Sequence, residues 1–275
     1  MTGIIIAGLI IVLCLLVGFS LYLRADSVLK SKKETIEIGN AQYIGTREKQ
    51  DDSFGSYQKP YGVMAVVADG IGGFINGDIA SDITVNTFLK EFKKNDVTGN
   101  VNYYFQTSAK TANYEIRKKF EDTPCGTTVV SVIVNKKQMY WFSVGDSSIS
   151  IYRKQRLIPV NRKQNVENWL EEQYFSGKIR REEAINHPQK RRLINYIGYD
   201  GFEGGETCEQ PVTLEKGDMV LLYSDGLETL NQIELEELLD QKGTANDIAE
   251  NIIEAIKYKN VKSKDNATVV IIKVK

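Results

Sequence analysis

The chain has 275 residues, of which 42% are hydrophobic and 26% are charged. These proportions exclude a disordered or collagen-like protein and allow one domain with a sizeable buried core. The formal net charge of -1 leaves no basic excess, so we expect no nucleic-acid partner. Three widely spaced cysteines without a CxxC pair indicate a reducing compartment, and the single histidine, His187, leaves carboxylates to ligate any metal.

An uncharged and largely apolar run from Gly3 to Leu23 opens the chain. Its length matches the roughly 20 residues that cross a bilayer core, so we predict one transmembrane helix within residues 1–23. A cleaved signal peptide or a lipoprotein anchor at Cys14 is less favoured, because no basic region precedes the run. Basic residues follow the run, so the positive-inside rule predicts a single-pass membrane protein whose remaining residues are cytoplasmic. Residues 24–33 form a predicted polar linker.

Residues 34–275 show no internal repeat and no second change in composition, so they are expected to form one domain. Strand patterns occupy Thr35–Ile38, Val63–Ala68, Thr128–Val134, Gln138–Val144, Ser148–Arg153, Thr207–Leu214, Met219–Ser224 and Ala267–Val274. Helical patterns occupy Asp78–Phe92, Val101–Phe120, Gln164–Tyr174, Glu234–Leu239 and Ala245–Tyr258. This order predicts an α+β fold, a four-layer α-β-β-α sandwich of two antiparallel sheets flanked by helices.

Aspartates collect where predicted core strands begin or end. They are Asp69 and Asp225, each followed by glycine, Asp265 before the last strand, and the pair Asp51-Asp52. Ordinary turn chemistry explains any one Asp-Gly pair, since glycine lets the backbone turn sharply. Several acids in one cleft require a cation, because their mutual repulsion raises their pKa values and costs stability. Oxygen ligands without His or Cys select Mg²⁺ or Mn²⁺.

Six short motifs follow one another between residues 47 and 268. They are Arg47 with Asp51-Asp52, Val67–Gly73, Cys125–Thr128, Val144–Ser147, Ser224–Gly226 and Lys264–Thr268. In this order they resemble the motifs of the metal-dependent type 2C (PPM) serine/threonine protein phosphatases, and residues 177–198 resemble the flap of the bacterial branch. The resemblance spans residues 34–275. It implies hydrolysis of phosphoserine and phosphothreonine on proteins by a metal-activated hydroxide at a binuclear centre.

The resemblance also implies which residues hold the two Mn²⁺ or Mg²⁺ ions. Asp69 would bridge both ions. The Gly70 carbonyl oxygen and Asp51 would complete the second site. Asp225 and Asp265 would hold the first ion.

Three further residues receive roles in the same way. Asp146 would bind a third, weaker ion together with Asp225. Asp52 would hydrogen-bond metal-bound water. Arg47 would receive the substrate phosphate as a bidentate fork.

Three positions depart from the family pattern. Asp51 stands where Glu is common, Ile71 where eukaryotic members have His, and Ser148 where Arg is usual. Asp51 and Ser148 favour an alternative function, a membrane-tethered pseudophosphatase that binds phosphoproteins or acts as a scaffold, whereas the retained acids favour catalysis. A phosphatase of non-protein phosphoesters is a third alternative, because the motifs specify phosphate and metal only. The expected partners are phosphoprotein substrates, including a membrane serine/threonine kinase.

Two features of the flap receive structural explanations. His187, followed by proline and distant in sequence from the acidic motifs, is expected to close the flap rather than to catalyse. The basic cluster Lys190–Arg192 is expected to be a solvated or membrane-facing surface. Contact of this cluster with phosphoprotein substrate is the less favoured alternative.

Overall fold

The computed structural model describes residues 36–71, 76–121 and 123–275, together with residue 20. The chain divides into two units, Met1–Thr35 and Ile36–Lys275, and the elements below belong to the second. Within the described ranges, no helix is long and apolar enough to cross a membrane. The transmembrane helix predicted over Gly3–Leu23 and the linker at 24–33 lie outside the described residues, apart from Ser20.

The strands of the described chain form two antiparallel sheets. They are β1 (Ile36–Tyr43), β2 (Asp52–Lys59), β3 (Gly62–Asp69), β4 (Val129–Asn135), β5 (Gln138–Val144), β6 (Ser148–Arg153), β7 (Arg156–Pro159), β8 (Glu206–Thr207), β9 (Val212–Thr213), β10 (Met219–Tyr223) and β11 (Ala267–Val274). The first sheet has the order β1-β11-β10-β6-β7. The second has the order β2-β3-β4-β5-β8, and β9 also pairs with β5.

Two helices of the described chain cover the outer face of each sheet, and two shorter ones lie in the segment between β7 and β8. The helices are α1 (Gly77–Lys94), α2 (Val101–Phe120), α3 (Val166–Phe175), α4 (Arg181–Ile185), α5 (Gln232–Leu239) and α6 (Ala245–Tyr258), with a 3-10 helix at Asp225–Thr229. One buried cluster joins α1 and α2 to the second sheet and contains Phe105. Another joins α5 and α6 to the first sheet and contains Ile252. The third cluster lies between the two sheets.

The central strands are apolar on both faces because each face meets a different layer. In β10, Val220 and Leu222 pack between the sheets, whereas Leu221 packs against the helices. The alternation follows the two-residue period of a strand. The predicted α+β fold, with two antiparallel sheets flanked by helices, is confirmed.

Several element boundaries differ from those predicted. The strands β2 and β7 and the short helix α4 were not predicted, and β2 is rich in polar residues. The single strand predicted over Thr207–Leu214 is wrong, because two-residue strands β8 and β9 replace it. Pro211 lies between them and has no backbone N–H to donate to a sheet.

Strand pairing brings chain segments that are far apart in sequence to one end of the sandwich. In the β1–β11 ladder, Ile36 pairs with Val274 at one end and Tyr43 with Ala267 at the other. Beyond Tyr43, the Thr46 N–H donates to the Lys264 carbonyl oxygen at 2.9 Å. The ladder therefore leads directly into the loops that precede β2 and β11.

Candidate metal centre

The predicted site residues gather around one cavity of about 710 Å³. The residues on its wall include Arg47, Asp51, Asp69, Gly70, Asp146, Asp225 and Asp265. Asp52 is buried and interacts electrostatically with Asp225 and Asp265. The structure thus brings together the acids that the sequence places at separate strand ends.

Antiparallel pairing explains this convergence. Asp52 begins β2 and lies directly opposite Asp69, which ends β3. In the other sheet, β10 ends just before Asp225, and its neighbour β11 begins just after Asp265. The end of one strand meets the beginning of its antiparallel neighbour. The four acids therefore lie at the same end of the two sheets.

The glycines of the two Asp-Gly pairs permit close packing. A Cβ on Gly70 would lie 2.3 Å from the Gly77 carbonyl oxygen, and a Cβ on Gly226 would lie 2.0 Å from that of Asn266. Neither Gly70 nor Gly226 has a positive φ. The expectation of a sharp turn that needs glycine is therefore corrected: these positions need the absence of a side chain.

Asn266 holds the loop that carries Arg47 and Asp51. Its Oδ1 accepts the Asp51 N–H at 2.8 Å, and its Nδ2 donates to the carbonyl oxygens of Ile44 and Lys49 at 2.8 and 3.0 Å. Asn266 is buried, and no role of its own was predicted for it from the sequence. The signal was its position beside Asp265, immediately before a buried strand.

Two motif threonines position Asp69 through its backbone. The Thr128 Oγ1 accepts the Asp69 N–H at 3.1 Å, and the Thr127 hydroxyl donates to the Asp69 carbonyl oxygen at 2.8 Å. Thr128 Oγ1 also lies 2.7 Å from Ser147 Oγ. The Cys125–Thr128 motif and the Gly-Asp-Ser motif are therefore linked by a hydroxyl pair that orients the end of β3.

Asp52 has one saturated and one unpartnered carboxylate oxygen. Its Oδ2 accepts hydrogen bonds from the Ser224 and Thr268 hydroxyls, both at 2.7 Å. Its Oδ1 is buried without a hydrogen-bond partner. Burial raises the pKa of Asp52 to about 7, against the opposing effect of the two hydroxyls. An unpartnered buried acceptor is costly and indicates a donor, such as water, that the protein itself does not supply.

Burial and mutual repulsion raise the pKa of the other acids. The pKa of Asp69 lies well above its ordinary value because of burial and then the charge of Asp52. Burial and Asp265 raise the pKa of Asp225. Burial and Asp225 raise the pKa of Asp146 to about 6. Ionisation of these acids at this end of the fold is therefore opposed by both desolvation and Coulomb repulsion.

Asp51 occupies a milder environment at the beginning of α1. Its carboxylate accepts a hydrogen bond from the Asp78 N–H, which lowers the Asp51 pKa, but burial and the Asp78 charge outweigh that effect and raise it. The Asp78 Oδ1 is itself buried without a hydrogen-bond partner. The group of acidic side chains therefore extends from Asp51 on the cavity wall to Asp78 in the first turn of α1.

Arg47 neutralises part of this charge. Its Nη2 forms an ion pair with Asp265 Oδ2 at 2.6 Å, in which both side chains are partly exposed. Within the described residues, no group of three or more His, Cys, Asp or Glu side chains is arranged to hold a metal as it stands. The ion pair keeps one oxygen of Asp265 engaged with the guanidinium.

The donor set nevertheless fits divalent cations of the Mg²⁺ or Mn²⁺ type. It consists of oxygen atoms only, which suits hard cations. The raised pKa of Asp69 means that its ionisation is costly in the absence of a cation, and the nearby Asp52 Oδ1 is a buried acceptor without a hydrogen-bond partner. A cation that displaced Arg47 from Asp265 would relieve both the repulsion and the desolvation cost.

Residues of the flap also line this cavity. Arg191 and Arg192 line the cavity together with Tyr196 and Tyr199. Their position favours the alternative in which the basic cluster contacts substrate over a purely solvated surface. His187 does not line this cavity, and its Nδ1 accepts the Gln189 N–H at 3.3 Å in a local turn of the flap.

Comparisons with known proteins agree on one family. Residues 41–255 match the family described as Protein phosphatase 2C. Serine/threonine phosphatase stp of Listeria monocytogenes serotype 4b is 28% identical over 235 residues, which cover 82% of this chain and 90% of the relative. The Streptococcus agalactiae serine/threonine phosphatase structure covers 88% of this chain and 100% of its own, with 26% identity and a TM-score of 0.78. The catalytic domain of the phosphatase PstP, solved with two manganese ions, has 21% identity, a TM-score of 0.69 and coverage of 87% and 99%.

Asp52 provides a test of the electrostatic description. Because its pKa is raised from 3.8 to about 7 in the folded protein, the folded state retains a proton that the unfolded chain releases. In protein stripped of divalent cations, we expect the free energy of unfolding to fall as pH rises from about 4 to 7, and Asp52→Asn to flatten this slope. Urea unfolding in EDTA at several pH values measures this dependence. Glu254→Gln, at an exposed acid, is the control. An unchanged slope in Asp52→Asn would contradict the assignment.

Proposed function

The chain belongs to the protein phosphatase 2C family, and we propose that it hydrolyses phosphoserine and phosphothreonine on proteins with two Mn²⁺ or Mg²⁺ ions. It is a protein serine/threonine phosphatase, as are the relatives from Listeria and Streptococcus by name. The observation that carries the proposal is the gathering of acids and Arg47 around one cavity. The substrate phosphate and the cations would meet there.

The wall of the cavity offers oxygen ligands for two ions. Asp69, at the end of β3, lies centrally enough to interact with Asp52, Asp225 and Asp146, and would bridge both ions. Asp225 and Asp265 would complete one site. Asp51 and the Gly70 carbonyl oxygen would complete the other, since the Gly70 N–H donates to the Asp51 carbonyl oxygen at 3.0 Å and fixes the two residues together.

Bound divalent cations supply a hydroxide-like nucleophile near neutral pH by lowering the pKa of water. Within the protein, Asp52 would accept a hydrogen bond or a proton from water at the metal centre. The Ser224 and Thr268 hydroxyls fix its Oδ2, which leaves the buried Oδ1 as the acceptor. Cations bound nearby would favour the ionised form of this carboxyl, which is the form that accepts a hydrogen bond or a proton.

Arg47 would bind the substrate phosphate. Its guanidinium lines the cavity and already holds an anionic partner, the Asp265 carboxylate, at 2.6 Å. A cation held by Asp265 would compete for that carboxylate and free the guanidinium for phosphate. Guanidinium binds two phosphate oxygens at once, which orients the phosphoryl group for attack.

The flap wall would bind the peptide that carries the phosphate. Arg191 and Arg192 bring positive charge to the cavity wall, and Tyr196 and Tyr199 add aromatic surface. This combination suits an anionic phosphopeptide rather than a small apolar ligand. The choice of a protein phosphoester over other phosphoesters is supported by the relatives, which are named serine/threonine phosphatases.

The proposal extends to the location and organisation of the enzyme. A transmembrane helix within residues 1–23 and a linker at 24–33 would attach a cytoplasmic phosphatase domain, residues 34–275, to the membrane. Support comes from the uncharged run Gly3–Leu23 and from the basic residues that follow it. Attachment would raise the local concentration of membrane phosphoproteins, such as a serine/threonine kinase, without changing the chemical step.

Asp69 provides the direct test of the metal proposal. We expect Asp69→Asn to abolish Mn²⁺-dependent release of phosphate from a phosphothreonine peptide, because it removes the charge shared by both ions. The loss should exceed the roughly 10- to 100-fold that removal of an outer hydrogen-bond partner costs. Asp200→Asn, at an acid that is 83% exposed, should remain active. Full activity of Asp69→Asn would contradict the proposal, and an inactive wild-type protein would favour the pseudophosphatase alternative.

The proposed role of Arg47 is tested by comparing the effect of its substitution on KM with the effect on kcat. We expect Arg47→Ala to raise KM for the phosphopeptide with a smaller loss of kcat, because the guanidinium binds phosphate in both the ground state and the transition state. Arg47→Lys should fall between, since an ammonium lacks the planar fork. Steady-state kinetics measure both constants, and Arg180→Ala, at an arginine that is 82% exposed, is the control. An unchanged KM would exclude Arg47 from phosphate binding.

Removal of residues 1–23 tests whether this segment provides membrane attachment only, while residues 34–275 provide catalysis. We expect the shortened protein to leave the membrane fraction and to retain kcat on a soluble phosphopeptide, because the site motifs begin at Arg47. Fractionation and kinetics of the two proteins measure this, and protease protection of the full chain in vesicles tests the cytoplasmic orientation. Loss of kcat with a native circular dichroism spectrum would show that the segment takes part in catalysis.

A further inference from the structure

Lys163 lies at the back of the acidic centre. Lys163 precedes α3, in a segment without a predicted motif. Its side chain is 26% exposed. The resemblance to bacterial phosphatases assigns Asp146 and Asp225 to a third, weaker metal ion. Lys163 interacts electrostatically with the same two carboxylates.

The backbone around Lys163 is attached to the turn that carries Asp146. The Gln164 N–H donates to the Gly145 carbonyl oxygen at 2.8 Å. On the other side, Asn161 Nδ2 donates to the Ser147 carbonyl oxygen at 3.0 Å. Residues 161–164 are therefore bonded to the residues on both sides of Asp146, which keeps the backbone of Lys163 beside that turn.

A second attachment joins Lys163 to the helix that begins with Asp225. Its Nζ forms an ion pair with Glu228 Oε1. Glu228 is three residues after Asp225 in the 3-10 helix Asp225–Thr229, and side chains three apart in a 3-10 helix lie on the same side. The ammonium is thus held beside the helix face that presents Asp225.

The electrostatics agree with this placement. Burial lowers the pKa of Lys163, and the charges of Asp146 and Asp225 oppose that effect. In return, the lysine lowers the pKa of each aspartate against the larger effect of burial. An attached ammonium therefore already supplies positive charge where a third ion would supply it, and it would repel a divalent cation there.

We propose that the Lys163 ammonium, held between the Asp146 turn and the Asp225 helix by Glu228, takes the place of the third metal ion. The centre of this enzyme would then hold two ions and one permanent side-chain cation. The inference rests on the two-metal centre of the proposed function. It makes Lys163 a positioning residue for Asp146 and Asp225.

The test counts Mn²⁺ bound to the full-length protein by equilibrium dialysis, independently of activity. Lys163→Met should bind one more ion per chain than the wild-type protein, and adding Asp146→Asn should remove that ion. Lys163→Arg keeps the charge and should match the wild type. Lys259→Met is a matched control, because Lys259 is similarly buried and pairs with Glu234.

The outcomes separate this inference from the proposed function. A wild-type protein that binds two ions while Lys163→Met also binds two would overturn the role of Lys163 alone. The role of Lys163 would also be overturned if the wild-type protein bound three ions and Asp146→Asn removed the third. Failure of the wild type to bind Mn²⁺ at all would refute the two-metal centre and this inference together. Lys163→Gln, neutral and polar, replaces the methionine variant if the latter does not fold by circular dichroism.

Discussion

The burial of several carboxylates at one end of the sandwich, together with their mutual repulsion, is the constraint on which the site depends. Asp52, Asp69, Asp146 and Asp225 all have raised pKa values, and burial is the largest cause for each. Charges so placed are stable only when cations or hydrogen-bond donors compensate them. The protein supplies part of this compensation through arginine, lysine and hydroxyl groups and leaves the remainder to bound ions.

The fold meets this constraint by holding several of the acids through hydrogen-bond partners within the protein. Asn266 holds the Asp51 loop, Thr128 holds the Asp69 backbone, and Ser224 holds Asp52. These partners come from segments far apart in sequence, so the site forms only when both sheets are assembled. Rigid support of this kind reduces the reorganisation that the ligands require when cations bind.

Much of the fold and of the site could be predicted from local pattern. The bounds of β5 and α2 follow from apolar periodicity, and Asp69, Asp225 and Asp265 were found because they end or precede predicted strands. The strand β2 could not be found in this way, because its polar sequence is stabilised by pairing with β3. The roles of Asn266 and Lys163 depend on contacts with residues distant in sequence, which no local pattern contains.

The β1–β11 ladder determines how the domain responds to force or fraying at its ends. Ile36 pairs with Val274, and Glu37 forms an ion pair with Lys275 at 2.8 Å, so both ends of the domain leave from one place. Tension between the two ends of the domain would break the hydrogen bonds of the β1–β11 ladder one pair after another, rather than shear all of them at once. The pair Tyr43–Ala267, next to the loops of the acidic centre, would open last. The site is thus mechanically remote from the terminal segments, and partial unzipping leaves it assembled.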